Sequence, residues 1–105
     1  MIRDVSDRDF DHVVERSPVP VLVEFWKPGC GHCRALTHQL ELLLAEAAGQ
    51  VEILKMNVEE NYQIAAELGV TALPALALYR EGRFDRFIGG LGTKEEIVKQ
   101  LALSW

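Results

Sequence analysis

The chain has 105 residues, 49% of them hydrophobic, which is enough for one compact core and too few for two ordinary domains. Lys and Arg number 11 against 16 Asp and Glu, for a net charge of -5, so the overall field repels polyanions and no nucleic-acid partner is expected. The longest apolar run, Val19 to Phe25, is broken by Pro20 and Glu24, Met1-Ile2-Arg3-Asp4 lacks the basic-then-apolar order of a secretory signal, and there are 2 cysteines; the expectation is a soluble, cytoplasmic, monomeric protein without a membrane partner, not a secreted disulfide scaffold.

Ser6-Asp7-Arg8-Asp9 reads as a helix start with Ser6 or Asp7 as N-cap, and Phe10, Val13 and Val14 supply an i, i+3, i+4 apolar face that ends by Ser17-Pro18. Val19 to Trp26 is β-branched, aromatic and almost wholly apolar, as befits a central strand covered on both faces. From Cys33 onward, Leu36, Leu40, Leu43, Leu44 and Ala47 recur at helical spacing, with Gly49 as the stop. Val51 to Val58 alternates as a strand, and Asn61 to Leu68 gives a short helix closed by Gly69. Pro74 to Tyr79 is a further strand, Glu81-Gly82 a turn, and Arg83 to Ile88 its hairpin partner. Thr93, three residues before Glu96, opens a last helix with a capping box, continuing through Ile97, Val98 and Leu101. The sum is an α/β chain of order β-α-β-α-β-α-β-β-α forming one domain over residues 1–105. It implies a mixed sheet with helices on both faces and a ligand edge at the C-terminal ends of its parallel strands.

Both cysteines fall in one stretch, FWKPGCGHCR, at the junction of the central strand and the long helix. If Cys30 and Cys33 share the first helical turn, their Cα atoms lie about 5 Å apart, within disulfide range. Cys30 then meets the unpaired N–H groups and positive dipole end of the helix, which favour thiolate and make it the nucleophile. Cys33, one turn further in beside Leu36, is better shielded and suits the resolving thiol. The competing readings are weaker. A buried structural pair does not need this junction, and a closed zinc site needs four ligands, whereas only His12, His32 and His38 accompany the thiols. A metal shared between two chains is a remote alternative, and covalent haem is excluded because Arg34, not histidine, follows Cys33. No metal and no cofactor are expected.

VEFWKPGCGHCR, LKMNVEEN, LGVTALPALALYREG and FIGGLGTKEE together resemble the thioredoxin family from about Arg3 to Leu103. The resemblance implies a thioredoxin fold, dithiol/disulfide oxidoreductase activity on disulfide-containing proteins, and a thioredoxin reductase as the source of electrons. It also implies a proline preceded by a cis peptide bond, matched by Pro74, which leaves the backbone of Leu73 open to an extended substrate. Gly90, with Gly89 and Gly92 as alternatives, matches a groove-lining glycine. With Trp26 beside the pair and Gly29 before it, Leu73, Pro74 and Gly90 make up the expected substrate-binding set.

Glu24 is a carboxylate in an apolar strand, so burial is expected to raise its pKa toward neutrality. In the family an acid at this position serves the buried cysteine through water, which makes Glu24 the proton relay for Cys33; the bland alternative is a partly solvated strand acid. Lys55 matches the lysine that neighbours this acid, or is a plain surface lysine. Three departures stand out. Gly29 replaces the usual tryptophan, removing docking surface, and Gly31-His32 resembles the Cys-Gly-His-Cys of protein disulfide isomerases. A histidine in the first turn favours the Cys30 thiolate and hence a more oxidising couple, unless it merely faces solvent. His38, where the family usually has a kinking proline, is expected to be a solvated helix residue. The leading reading is therefore a thiol-disulfide oxidoreductase with Cys30, Cys33 and Glu24 as catalytic residues and His32, Gly31 and Lys55 tuning the couple. Its rivals are an oxidant or isomerase, against which the ending Leu103-Ser104-Trp105, no retention signal, counts, and a redox-sensing binding module.

Overall fold

The computed structural model describes residues 2–90 and 92–104, with side chains through residue 101; Trp105, to which the sequence assigns no role, lies outside them. The elements run β1 Arg3–Asp4, α1 Phe10–Arg16, β2 Val21–Trp26, α2 Gly31–Glu46, β3 Glu52–Asn57, α3 Gln63–Leu68, β4 Ala75–Arg80, β5 Arg83–Ile88 and α4 Lys94–Ser104. This is the expected order. The five strands form one sheet, β1-β3-β2-β4-β5, parallel across β1, β3 and β2 and antiparallel across β2, β4 and β5. Together with the flanking helices this is the thioredoxin fold.

β2 lies at the centre, and Val21 to Phe25 are all at most 1% exposed. Its side chains alternate between two cores. Val21, Val23 and Phe25 join Phe10, Val13, Val14, Ile64 and Ala65 from α1 and α3. Leu22 joins Leu36, Leu40, Leu43, Ile97 and Leu101 from α2 and α4. A strand with a core on each side has no wet face to encode, so it reads as an unbroken apolar run. Each of its large side chains contributes about 1.5–3 kcal/mol through burial. The strand begins at Val21, not Val19, because Ser17 Oγ binds both N–H and C=O of Val19 in a turn and Pro20 offers the ladder only its carbonyl, which Glu52 N–H reaches at 3.0 Å.

The start of α1 differs from expectation. Its N-cap is Asp9, and Ser6 Oγ donates to the Asp9 carboxylate at 3.0 Å. Asp7 serves another helix altogether: its two carboxylate oxygens accept the N–H groups of Gln63 at 3.0 Å and Ile64 at 3.1 Å, the first turn of α3. The hairpin turn falls at Glu81 and Gly82, with φ of 55° and 78°, the left-handed pair that matches strand twist. At α4, Thr93 Oγ1 accepts the N–H of Glu96 at 3.3 Å, the N-cap half of the expected box.

Candidate active site

The C-terminal ends of β2 and β3 and the start of β4 lie at one edge of the sheet, since Phe25 pairs with both Met56 and Ala75. Beyond β2 the chain turns through Lys27, Pro28 and Gly29. Gly29 has φ +80°, a conformation that L side chains rarely adopt. Its glycine thus has a backbone reason that the sequence comparison with tryptophan does not reveal.

Cys30 is the N-cap of α2, with extended φ/ψ, and Gly31 begins the helix. The helix therefore starts two residues earlier than the apolar periodicity suggests, and both cysteines do lie at its first turn. Their Cα atoms are 5.2 Å apart and their sulfurs are joined as a disulfide. Cys30 Sγ accepts the backbone N–H of Cys33 at 3.1 Å, occupying a place usually held by a Ser or Asp oxygen. A sulfur in that place gains most when it is a thiolate. Cys30 is half-buried, whereas Cys33 is 1% exposed.

The Leu73-Pro74 peptide bond is cis, as the resemblance implies. Pro74 immediately precedes β4, at the edge where Trp26 ends β2. Leu76 pairs with Ile88, so Pro74 and Gly90 lie two residues beyond that pair on the same side of the hairpin. Gly90 has φ +60°. Leu73 borders a cleft of about 480 Å3 whose lining includes Val58, Tyr62 and Val70. Tyr62 is 66% exposed there; nothing in its local sequence distinguishes it from an ordinary loop aromatic.

Glu24 is completely buried on the α2 side of β2. Its Oε1 accepts the Thr37 hydroxyl at 2.7 Å, and Oε2 has no partner among the described residues. Burial pushes the carboxyl up from 4.5 to about 7, against the Thr37 hydrogen bond and the charge of Lys55, which both hold it down. Lys55 pairs in register with Glu24 across the parallel β2–β3 ladder, and its Nζ stands 5.4 Å from the centre of the Trp26 ring. Trp26, Cys33, Thr37 and Lys55 border a second cleft of about 230 Å3, roomy enough for water.

His32 and Gly31 are exposed in the first turn of α2, and His38 is exposed one turn further on. Thr37 is the residue that sequence reasoning passes over. The available signal is spacing alone: four residues after Cys33, it stacks on the same face of the helix. Among the described residues no group of three or more His, Cys, Asp or Glu is placed to hold a metal ion.

Comparison with known proteins agrees with this geometry. The family model described as Thioredoxin matches residues 1–103. The thioredoxin of Rickettsia felis is 39% identical over 98 residues, covering 93% of this chain and 93% of its own. That of Haemophilus influenzae is 42% identical over 79 residues, 75% of this chain and 74% of its own. That of Streptomyces clavuligerus is 36% identical over 99 residues, 94% and 92%.

Proposed function

The chain belongs to the thioredoxin family and is a thiol-disulfide oxidoreductase of protein disulfides; from that premise we propose that Cys30 attacks the substrate, Cys33 resolves, and Glu24 takes the proton that Cys33 gives up. In the reduced protein the Cys30 thiolate attacks one sulfur of a substrate disulfide. A bond forms between Cys30 and that sulfur, and the other substrate sulfur leaves as a thiolate. The Cys33 thiol then gives its proton to the Glu24 carboxylate, and its sulfur bonds to Cys30. The bond from Cys30 to substrate breaks, and the second substrate thiolate departs. Two electrons have passed from the protein dithiol to the substrate, and a reductase restores the dithiol.

The observation that carries this reading is the Cys33 N–H to Cys30 Sγ bond at the start of α2, set against the near-complete burial of Cys33. It makes Cys30 both the more accessible and the better stabilised thiolate. A carboxyl poised at about 7 suits a group that takes and returns a proton at neutral pH. Leu73, Pro74, Gly29, Trp26 and Gly90 form the substrate-facing surface in this proposal, with the backbone of Leu73 pairing with an extended segment. Lys55 moderates Glu24, while Gly31 and His32 tune the couple. The domain acts as a cytoplasmic monomer, without a cofactor, membrane or nucleic acid.

The test is reduction of a model protein disulfide with a chemical reductant as electron source. Wild type turns over, and Cys30→Ser loses turnover while keeping its fold. Initial attack that survives in Cys30→Ser and vanishes in Cys33→Ser reverses the assignment.

A further inference from the structure

Thr37 lies one helical turn beyond Cys33, and its hydroxyl meets two oxygens: Oγ1 is 2.7 Å from Glu24 Oε1 and 2.9 Å from the Cys33 carbonyl. A hydroxyl has one proton to donate, so it serves one of these acceptors at a time. When Glu24 is ionised, the carboxylate is the stronger acceptor. When Glu24 is neutral, the Cys33 carbonyl competes for the same proton, and the hydroxyl keeps a partner either way. A buried carboxyl that changes protonation needs such a neighbour, because a polar group stranded without a partner is costly. Oε2, buried and unpartnered, remains the oxygen with room for a proton.

We propose that Thr37 is a positioning residue of the exchange reaction: its hydroxyl donates to Glu24 Oε1 while the carboxylate is charged, has the Cys33 carbonyl to turn to once it is neutral, and leaves Oε2 to take the proton that Cys33 releases. The inference rests on the assignment of Glu24 as the relay. Lys55 faces Glu24 from β3, the uncharged Leu76 faces it from β4, and on α2 Arg34, His38 and Glu41 border the neighbouring cleft. Of the two influences that hold Glu24 down against burial, the Thr37 bond is the larger. Thr37 thus keeps Glu24 able to accept a proton at neutral pH.

The experiment mixes reduced protein with dithiobis(nitrobenzoate), a chromogenic disulfide. Attack by Cys30 releases one aryl thiolate and resolution by Cys33 releases the second, so the two steps are read separately over the neutral pH range. In Thr37→Val the second release slows about tenfold relative to the first near neutrality. Its pH midpoint rises by about one unit, equivalent to that tenfold change. Infrared titration of the carboxyl in the oxidised protein moves by the same amount, and Thr37→Ser restores both. Thr37→Ala, which only removes atoms, carries the test if valine does not fit. An unchanged midpoint in the valine or alanine variant overturns the proposal. Glu24→Gln separates it from its premise: if that variant alters the profile of the second release and Thr37→Val does not, Thr37 alone is eliminated. If Glu24→Gln leaves the profile intact, the relay assignment falls and this inference with it.

Discussion

The backbone N–H of Cys33 donates to Cys30 Sγ at 3.1 Å, so the sulfur proposed as the nucleophile also caps helix α2. Serine is a good N-cap and a poor nucleophile, which makes substitution at this position informative about both jobs. Cys30→Ser is expected to fold as stably as a capped helix allows while losing exchange. Cys30→Ala, with no cap, is less stable than the serine variant by about 1 kcal/mol in urea unfolding of the reduced proteins. Cys33→Ser leaves attack in place and stalls with substrate bound to Cys30, recoverable as a mixed disulfide on a non-reducing gel. Equal stability of the serine and alanine variants would show that a side-chain cap at this position contributes nothing to the helix.

Glu24 ties stability to pH. Its folded pKa of about 7 lies above the ordinary carboxyl value of 4.5. Below the lower value the carboxyl is neutral in both states and folding carries no penalty. Between the two, the unfolded chain releases its proton while the native state retains it, so stability falls as pH rises and levels off above about 7. A displacement of that size corresponds to about 3 kcal/mol. The difference in unfolding free energy between Glu24→Gln and the wild type, both oxidised, should therefore grow by about that amount across this window. A difference that stays flat would show that Glu24 is solvated or compensated in the native state.

Glu24 and the cysteine pair are also the most legible parts of the sequence. A carboxylate in an apolar strand and a Cys-x-x-Cys at a strand-to-helix junction each break a local pattern, and such breaks are where function concentrates. The helices α2 and α4 were readable because Leu36, Leu40, Leu43, Ile97 and Leu101 repeat at the period of one buried face. What escaped depends on distant partners. Ser6 and Asp7 are equally good caps by composition; only the fold brings Asp7 to α3, 56 residues away, and leaves Asp9 to start α1. The expected order begins with a strand but gives it no bounds, because Arg3–Asp4 is too short to show any period; its pairing with Leu54 and Lys55 locates it. Thr37 reads as an ordinary helix residue until β2 sets Glu24 against it.

Asp7 should matter for stability and not for chemistry. Its carboxylate satisfies two first-turn N–H groups of α3, a helix of 6 residues that has little else at its N-terminus, since Tyr62 gives no side-chain cap. Asp7→Ala is expected to cost about 1 kcal/mol, typical of losing a cap. At this chain length that lowers Tm by roughly 4–8 °C. Amide exchange should quicken in Gln63–Leu68 before it does in α1, and the potential of the cysteine pair should not move. Faster exchange first in α1 would mean that the sequence reading of Asp7 as its cap describes the stronger interaction.

The role proposed for His32, setting how oxidising the couple is, can be tested directly. His32 is exposed in the first turn of α2, where the helix dipole already favours an anion on Cys30, and any imidazolium there adds to that field. Stabilising the thiolate stabilises the reduced form, and about 1.4 kcal/mol of it raises a two-electron potential by about 30 mV. Proline is a fair replacement, because first-turn N–H groups have no intrahelical acceptor and its fixed φ suits a helix start. His32→Pro is therefore expected to fold normally and to lower the potential by about 30 mV or more in equilibrium with glutathione, read by thiol labelling. In the same variant, the rise in thiolate absorbance of reduced Cys30 should occur at higher pH. The two readouts must move together, since both report the same change in thiolate energy. A lower potential with an unmoved thiolate titration would assign the effect to the disulfide form instead, and no change in either would leave His32 as a solvated side chain without influence on the sulfur.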